Sequence, residues 1–236
     1  MNEILADNGK FRVVAEPDCD VENPRTFGDH LGTMVYSHRN YILGDEEAKR
    51  TGSYECWYDW LDNEVIAPDG SFELPDDLPE EDEDGEYTDA EYDAAYADYR
   101  QKVIDERLLD LVFLPLNVYE HSGITMSTGC GYPFNDRWDA GQVGWVYAWK
   151  ADAIKWGFKE ETWREQTEEA LIAEVNEFDA YLTGSYYCLA LEKLISEDDL
   201  EAWAIVDSIC GIEGDYIRQA VVDYFGVEYA ELAEAI

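Results

Sequence analysis

The sequence predicts an α+β fold, an antiparallel or mixed sheet flanked by acidic amphipathic helices, and three observations carry that expectation. Runs rich in β-branched and aromatic residues, such as Val143-Gly144-Trp145-Val146-Tyr147-Ala148-Trp149, stand between turn signals. Two long stretches repeat apolar residues every three or four positions and put Asp and Glu on the remaining faces. Finally, 46% of the 236 residues are hydrophobic and 14% aromatic, enough apolar material for a core in spite of a formal net charge of −39. The expected organisation is a single domain over residues 1–236, with an acidic loop and helix inserted at about 68–111.

In chain order, Phe11 to Ala15 reads as a short strand. Between Arg50 and Arg100 the chain has no basic residue and 18 acidic ones. Inside that window Pro68-Asp69-Gly70, Pro75 and Pro79 punctuate a solvated loop running from Asp76 to Gly85. Thr88-Asp89-Ala90-Glu91 then has capping-box spacing, so a helix is expected from about Asp89 to Leu111, with Tyr92, Tyr96, Tyr99 and Val103 along one face. Leu111 to Tyr119 and Gly123 to Thr128 read as strands bracketing Glu120-His121-Ser122-Gly123, and Val143 to Trp149 as a third. A second helix is expected over about Glu160 to Leu182, its stripe formed by Trp163, Thr167, Ala170, Leu171, Val175, Phe178 and Leu182 and its stop by Gly184. Tyr186 to Leu191 and Ala202 to Ile209 read as strands, and a last helix is expected from near Asp215 to about Leu232.

The charge excludes some partners. A surface this negative repels nucleic acid and anionic lipid over a Debye length of about 10 Å at 0.1 M salt, so neither is an expected direct partner. No run approaches the roughly 20 apolar residues of a membrane span, and Met1-Asn2-Glu3 lacks the basic start of a leader; a cytoplasmic protein is the expectation. The five cysteines, at 19, 56, 130, 188 and 210, contain no C-x-x-C and are expected to be reduced and mostly buried. Neither an EF-hand nor a phosphate-binding glycine loop is matched, so no cofactor and no dedicated metal site is expected.

Carboxylates three or four residues apart on a helix stand about 5–6 Å from one another, comparable with successive phosphates of a nucleic-acid strand. This points to an acidic DNA mimic that occupies the basic groove of a DNA-binding protein. The residues expected to make contact are Asp76, Asp77, Glu80, Glu81, Asp82, Glu83, Asp84, Asp89, Asp93, Glu161, Glu165, Glu168 and Glu169. Two plainer readings stand beside it: a charge run that is only a solvated face, and halophilic adaptation. A third alternative is chemical. His121, Cys130 and Asp139 are the residue types of a base, a nucleophile and an orienting carboxylate, and would serve a Cys/His enzyme or a small-ligand binder. The remaining alternative is an acidic interaction protein without DNA-like geometry; the oligomeric state is left open, a homodimer included.

Two blocks carry a resemblance. The first is Glu22-Asn23-Pro24-Arg25-Thr26-Phe27-Gly28-Asp29-His30-Leu31-Gly32-Thr33-Met34-Val35 with His38-Arg39-Asn40-Tyr41-Ile42-Leu43-Gly44-Asp45. The second is Leu114-Pro115-Leu116 to Tyr119-Glu120-His121-Ser122-Gly123-Ile124-Thr125-Met126-Ser127, then Trp138-Asp139-Ala140-Gly141-Gln142-Val143-Gly144. With a weaker third block, Tyr181-Leu182-Thr183-Gly184 and later Asp207-Ser208 with Gly211 and Gly214-Asp215-Tyr216, they resemble a family of uncharacterised proteins of bacteriophages, plasmids and integrated mobile elements. The resemblance implies a mobile-element origin more than an activity. The likeness to DNA-mimicking antirestriction and anti-CRISPR proteins is one of property alone, acidity and small size, and with that origin it leads to the expectation of an anti-defence inhibitor whose partner is a host restriction, CRISPR or related DNA-binding defence protein. Within the blocks, Arg25, His30, His38, Arg39, His121, Trp138, Asp139 and Gln142 either converge on a ligand pocket or, with Arg25 and Asp139 as buried ion-paired or hydrogen-bonded supports, serve turns marked by Pro24-Arg25, Gly32, Gly44, Gly123, Gly141 and Gly144.

Overall fold

A computed structural model describes residues 3–27, 29–48, 56–73, 89–129, 138–196 and 202–236. Its strands are β1 (Glu3–Asp7), β2 (Phe11–Pro17), β3 (Thr33–Tyr36), β4 (Glu46–Glu47), β5 (Leu111–Glu120), β6 (Ile124–Ser127), β7 (Ala140–Trp149), β8 (Tyr186–Ser196) and β9 (Ala202–Glu213). The helices are α1 (Trp57–Leu61), α2 (Asp89–Leu108), α3 (Lys150–Trp156), α4 (Trp163–Thr183), α5 (Ile217–Ala220) and α6 (Ala230–Ala235). The fold is α+β, with two sheets: β1-β2-β8-β9 and β4-β3-β7-β5-β6. All pairings are antiparallel except the short β3–β4 contact.

Period-two alternation in β5 and β7 divides the five-stranded sheet between two cores. Val112, Leu114, Leu116, Val118, Val146 and Ala148 face α4, against its buried Leu171, Val175 and Phe178. Leu111, Phe113, Trp145, Tyr147 and Trp149 face the other way, where α1, the π-helical turn Asp62–Ile66 and α2 supply Leu61, Ile66, Val103 and Ile104. Four of the eight tryptophans, Trp57, Trp60, Trp145 and Trp149, sit in this second core. The Trp145 indole, 1% exposed, donates to the Trp57 carbonyl at 2.9 Å, and the Trp57 indole donates to the Gln142 carbonyl at 3.2 Å. Indole N–H groups buried this deeply need such acceptors.

The four-stranded sheet buries Val13, Ala15, Leu189 and Leu191 against the C-terminal segment, through Ile217, Val221, Phe225 and Leu232. That segment corrects the expected last helix. It is broken into α5, a π-helical turn Val221–Phe225, a 3-10 turn Val227–Tyr229 and α6, and the break falls at Gly226, whose φ of 114° lies outside helical space. α2 also ends at Leu108 instead of Leu111, because Leu111 is already paired with Trp149 in the sheet. Arg164, in the first turn of α4, donates to the carbonyls of Leu111 at 2.9 Å and Leu109 at 2.6 Å, satisfying acceptors just beyond the end of α2. The predicted Tyr face of α2 docks only in its C-terminal part: Val103 is buried, while Tyr92 is 39% exposed and stacks on Tyr96. The stripe of α4 buries as its spacing predicts, and Gly184 closes the helix at φ 68°.

The glycines of the motif blocks are not all turn residues. Gly141 and Gly144 lie inside β7. At Gly144 a Cβ would stand 1.8 Å from the Val35 carbonyl oxygen, so the β3 backbone passes where any side chain would be. A Gly144→Ala chain is therefore expected to lose about 1–3 kcal/mol, as overpacked positions do. Urea unfolding checks this, through a lower midpoint at unchanged slope.

The cysteine expectation is corrected as well. Cys188 and Cys210 are joined as a disulfide across β8 and β9, and Cys19 and Cys56 are exposed. Cross-strand register, invisible in the spacing, brings the two half-cystines together. Among the described residues no helix is long and apolar enough to cross a membrane.

Candidate functional site

The acidic residues divide into those the structure describes and those it does not. Asp76, Asp77, Glu80, Glu81, Asp82, Glu83 and Asp84 lie outside the described residues, as does the Thr88 cap; Asp89 is described as the first residue of α2 by its backbone alone. Asp93, Asp98 and Asp105 are exposed on α2. On α4, Glu165, Glu168 and Glu169 are exposed on the side away from Trp163, Thr167 and Leu171, and Glu161 is exposed in the turn before it. The helix sets Glu165 and Glu169 one turn apart, at a rise of about 1.5 Å per residue. Among the described residues, none of Asp93, Glu161, Glu165, Glu168 or Glu169 enters an ion pair.

Several of the cations are instead bonded to acceptors of the chain itself. Arg100 donates to the Asp62 carbonyl at 3.0 Å, and Arg107 to the carbonyls of Ile66 and Ser71, each at 2.7 Å. Arg164 is spent on the carbonyls already described. Arg25, its side chain 3% exposed, bonds Asp45 through two nitrogens at 2.9 and 2.5 Å, Glu174 at 2.9 Å and the Gly32 carbonyl at 2.7 Å. Burial works against this guanidinium's charge, but Asp45 and Glu174 outweigh it and hold its pKa above the ordinary value. The carboxylates also bind backbone: Glu174 accepts from the Leu31 N–H at 2.7 Å and Asp45 from the Met34 N–H at 2.8 Å. Arg25 is thus a support of the first motif block. Asp45 and Glu174, its partners, are residues that sequence reasoning missed.

The two motif blocks together build a polar cavity of about 500 Å³ at the open end of β5 and β7, lined among others by His38, Arg39, Glu120, Ser122, Trp138 and Asp139. Backbone N–H groups of Asn40 and Tyr41 point to His38 Nδ1 at 3.3 and 3.2 Å, so the neutral ring carries its proton on Nε2, which faces Glu120 at 3.6 Å. His121 stacks on Tyr119 and its Nδ1 lies 3.0 Å from Asp139 Oδ2. The predicted base and orienter are therefore within hydrogen-bond reach; Cys130 lies outside the described residues. Asp139 is not the buried support expected, its side chain being 40% exposed. Gln142 turns away to the Gly144 carbonyl at 3.0 Å, and His30 stands apart with a buried Nε2 that has no partner among the described residues.

A smaller cleft of about 260 Å³ lies where the end of α4 meets β8 and β9, lined by Asp179, Glu213 and Asp215 among others. Burial raises the pKa of Asp179, against the lowering effect of the Met126 N–H, and burial with Asp215 and Glu177 raises that of Glu213. The neighbouring Tyr186 hydroxyl is pushed up to about 12 by burial and by Glu177 and Glu213. Carboxyls with raised folded-state pKa values hold their proton more tightly when folded. Their stabilising effect is present below the unfolded pKa and is lost as pH rises through the folded one. Stability is thus expected to fall across the upper carboxylate range, and the pair Asp179→Asn and Glu213→Gln to flatten that fall, as thermal melts over a pH series would register.

Comparison with protein-family models, with characterised proteins and with solved structures finds no match to this chain.

Proposed function

We propose that this protein is an acidic decoy that occupies the basic DNA-binding groove of another protein, with host defence complexes the class of target that the mobile-element resemblance implies. One observation supports this above the others: Glu161, Glu165, Glu168 and Glu169 stand exposed at and beside the start of α4 without ion pairs among the described residues, while Arg25, Arg100, Arg107 and Arg164 are engaged by carboxylates or carbonyls of the chain itself. Carboxylates on a helix keep a fixed spacing, which a groove shaped for phosphates can read. Association driven this way releases counterions from the basic partner and competes directly with DNA.

The test is recovery of partners from a bacterial lysate at low salt on the immobilised chain, followed by elution with duplex DNA. The decoy reading expects a DNA-binding protein to be displaced by DNA and to lose its DNA complex when free chain is added. Partners that DNA does not displace would overturn it.

A second reading is favoured by the His121–Asp139 contact beside the cavity holding His38 and Arg39: a binder of a small polar or anionic ligand. It expects ligand-dependent stabilisation that Arg39→Ala removes and the acidic substitutions leave intact.

A further inference from the structure

Cys188 and Cys210 face each other where the β8–β9 register slips, between the pairs Tyr187–Ile212 and Leu189–Ile209. A third metal-ligating group meets them there. Asp18 follows β2, and its carboxylate oxygen and the two sulfurs all lie within 4.8 Å of one another. Asp18 is held from three sides: its N–H donates to the Tyr186 carbonyl at 2.8 Å, its Oδ2 accepts from the Gly211 N–H at 3.0 Å, and its Oδ1 accepts from the Asp20 N–H at 3.0 Å. Asp18 and Cys188 are half-buried and Cys210 is exposed, so the cluster is anchored on one side and open on the other.

We propose that Asp18, Cys188 and Cys210 form a redox-gated site for a thiophilic divalent cation of the Zn²⁺ class. In the oxidised chain each sulfur is bonded to the other and no thiolate is offered. A dithiol reductant supplies two electrons and two protons, leaves as its own disulfide, and converts the pair to two thiols. Zn²⁺ then displaces the two thiol protons and takes both thiolates at about 2.3 Å and the Asp18 carboxylate at about 2.0–2.2 Å, with water in the fourth tetrahedral position on the exposed side. The electrostatics favour this outcome. A carboxylate fixed beside two thiols opposes their ionisation, and a divalent cation between the three removes that opposition. Two sulfur donors select Zn²⁺ over Ca²⁺ and Mg²⁺, which take oxygen ligands. The negative surface raises the local concentration of any cation.

The experiment uses the full chain with Cys19, Cys56 and Cys130 changed to Ser, so that any thiolate signal comes from this pair. The chain is reduced with a dithiol, freed of it anaerobically, and titrated with Zn²⁺ by equilibrium dialysis and with Cd²⁺ by the thiolate-to-metal charge-transfer band. One equivalent is expected in the reduced chain and none in the oxidised chain. Asp18→Asn, which preserves the cysteine pair and the acceptor for the Gly211 N–H, is expected to weaken binding at least about tenfold, and Cys188→Ser to abolish the charge-transfer band. Binding that is equal in the oxidised and reduced chains, absent from both, or unchanged by Asp18→Asn would overturn the proposal.

Discussion

Exchanging Arg25 for alanine is expected to remove about 3–5 kcal/mol of stability, the cost of leaving buried charges without their partner. The guanidinium is 3% exposed and joins Asp45, Glu174 and the Gly32 carbonyl, so its loss strands two carboxylates that are themselves only 23% and 14% exposed. Those carboxylates also orient the Leu31 and Met34 N–H groups, so the damage should spread into the start of β3. Arg25→Lys is expected to recover only part of the loss, since a point charge cannot reproduce the two-nitrogen contact with Asp45. Urea unfolding gives the difference directly, and a double-mutant cycle with Glu174→Gln isolates the pair. A loss below about 1 kcal/mol would mean that the network is wet and weak in solution.

Changing Glu161, Glu165, Glu168 and Glu169 together to Gln separates charge from scaffold. None of the four enters an ion pair among the described residues, so stability should hold or rise slightly as self-repulsion falls. Binding to the DNA-competed partner should weaken, and its logarithmic salt slope should drop by about one for each charge engaged. The unchanged chain, engaging about 6–10 charges, should lose about 10³–10⁵ in affinity between 50 and 200 mM salt. Titrations across that range on both chains decide the matter: equal slopes would place the contact elsewhere.

What could be read from the sequence was local periodicity. The alternation of Val143 to Trp149 and the stripe of Trp163, Leu171, Val175 and Phe178 announce their faces, because each follows one repeat without interruption. Ile217, Val221 and Phe225 keep helical spacing too, yet one π-helical turn, one 3-10 turn and the backbone at Gly226 divide the segment that spacing alone joins. Strand β3 is only four residues long, too short to show alternation. The candidate sites were legible by residue type and not by partner. Arg25 meets residues 20 and 149 positions away, and Cys188 meets Cys210 through strand register. Gly144 reads as a turn residue, while its role is to let another strand pass. Non-local pairings of this kind leave no periodic trace in a single sequence.

Arg164 has a mechanical consequence. By reaching from the first turn of α4 to the carbonyls of Leu109 and Leu111, one guanidinium ties the segment after one acidic helix to the beginning of the other. The two helices cover opposite faces of the five-stranded sheet, and this guanidinium clasps the chain where it passes from one face to the other. Cutting that clasp with Arg164→Met would leave every negative charge in place and release the turn after α2 from the start of α4, so that a partner reading the α4 carboxylates alone would be indifferent to the change.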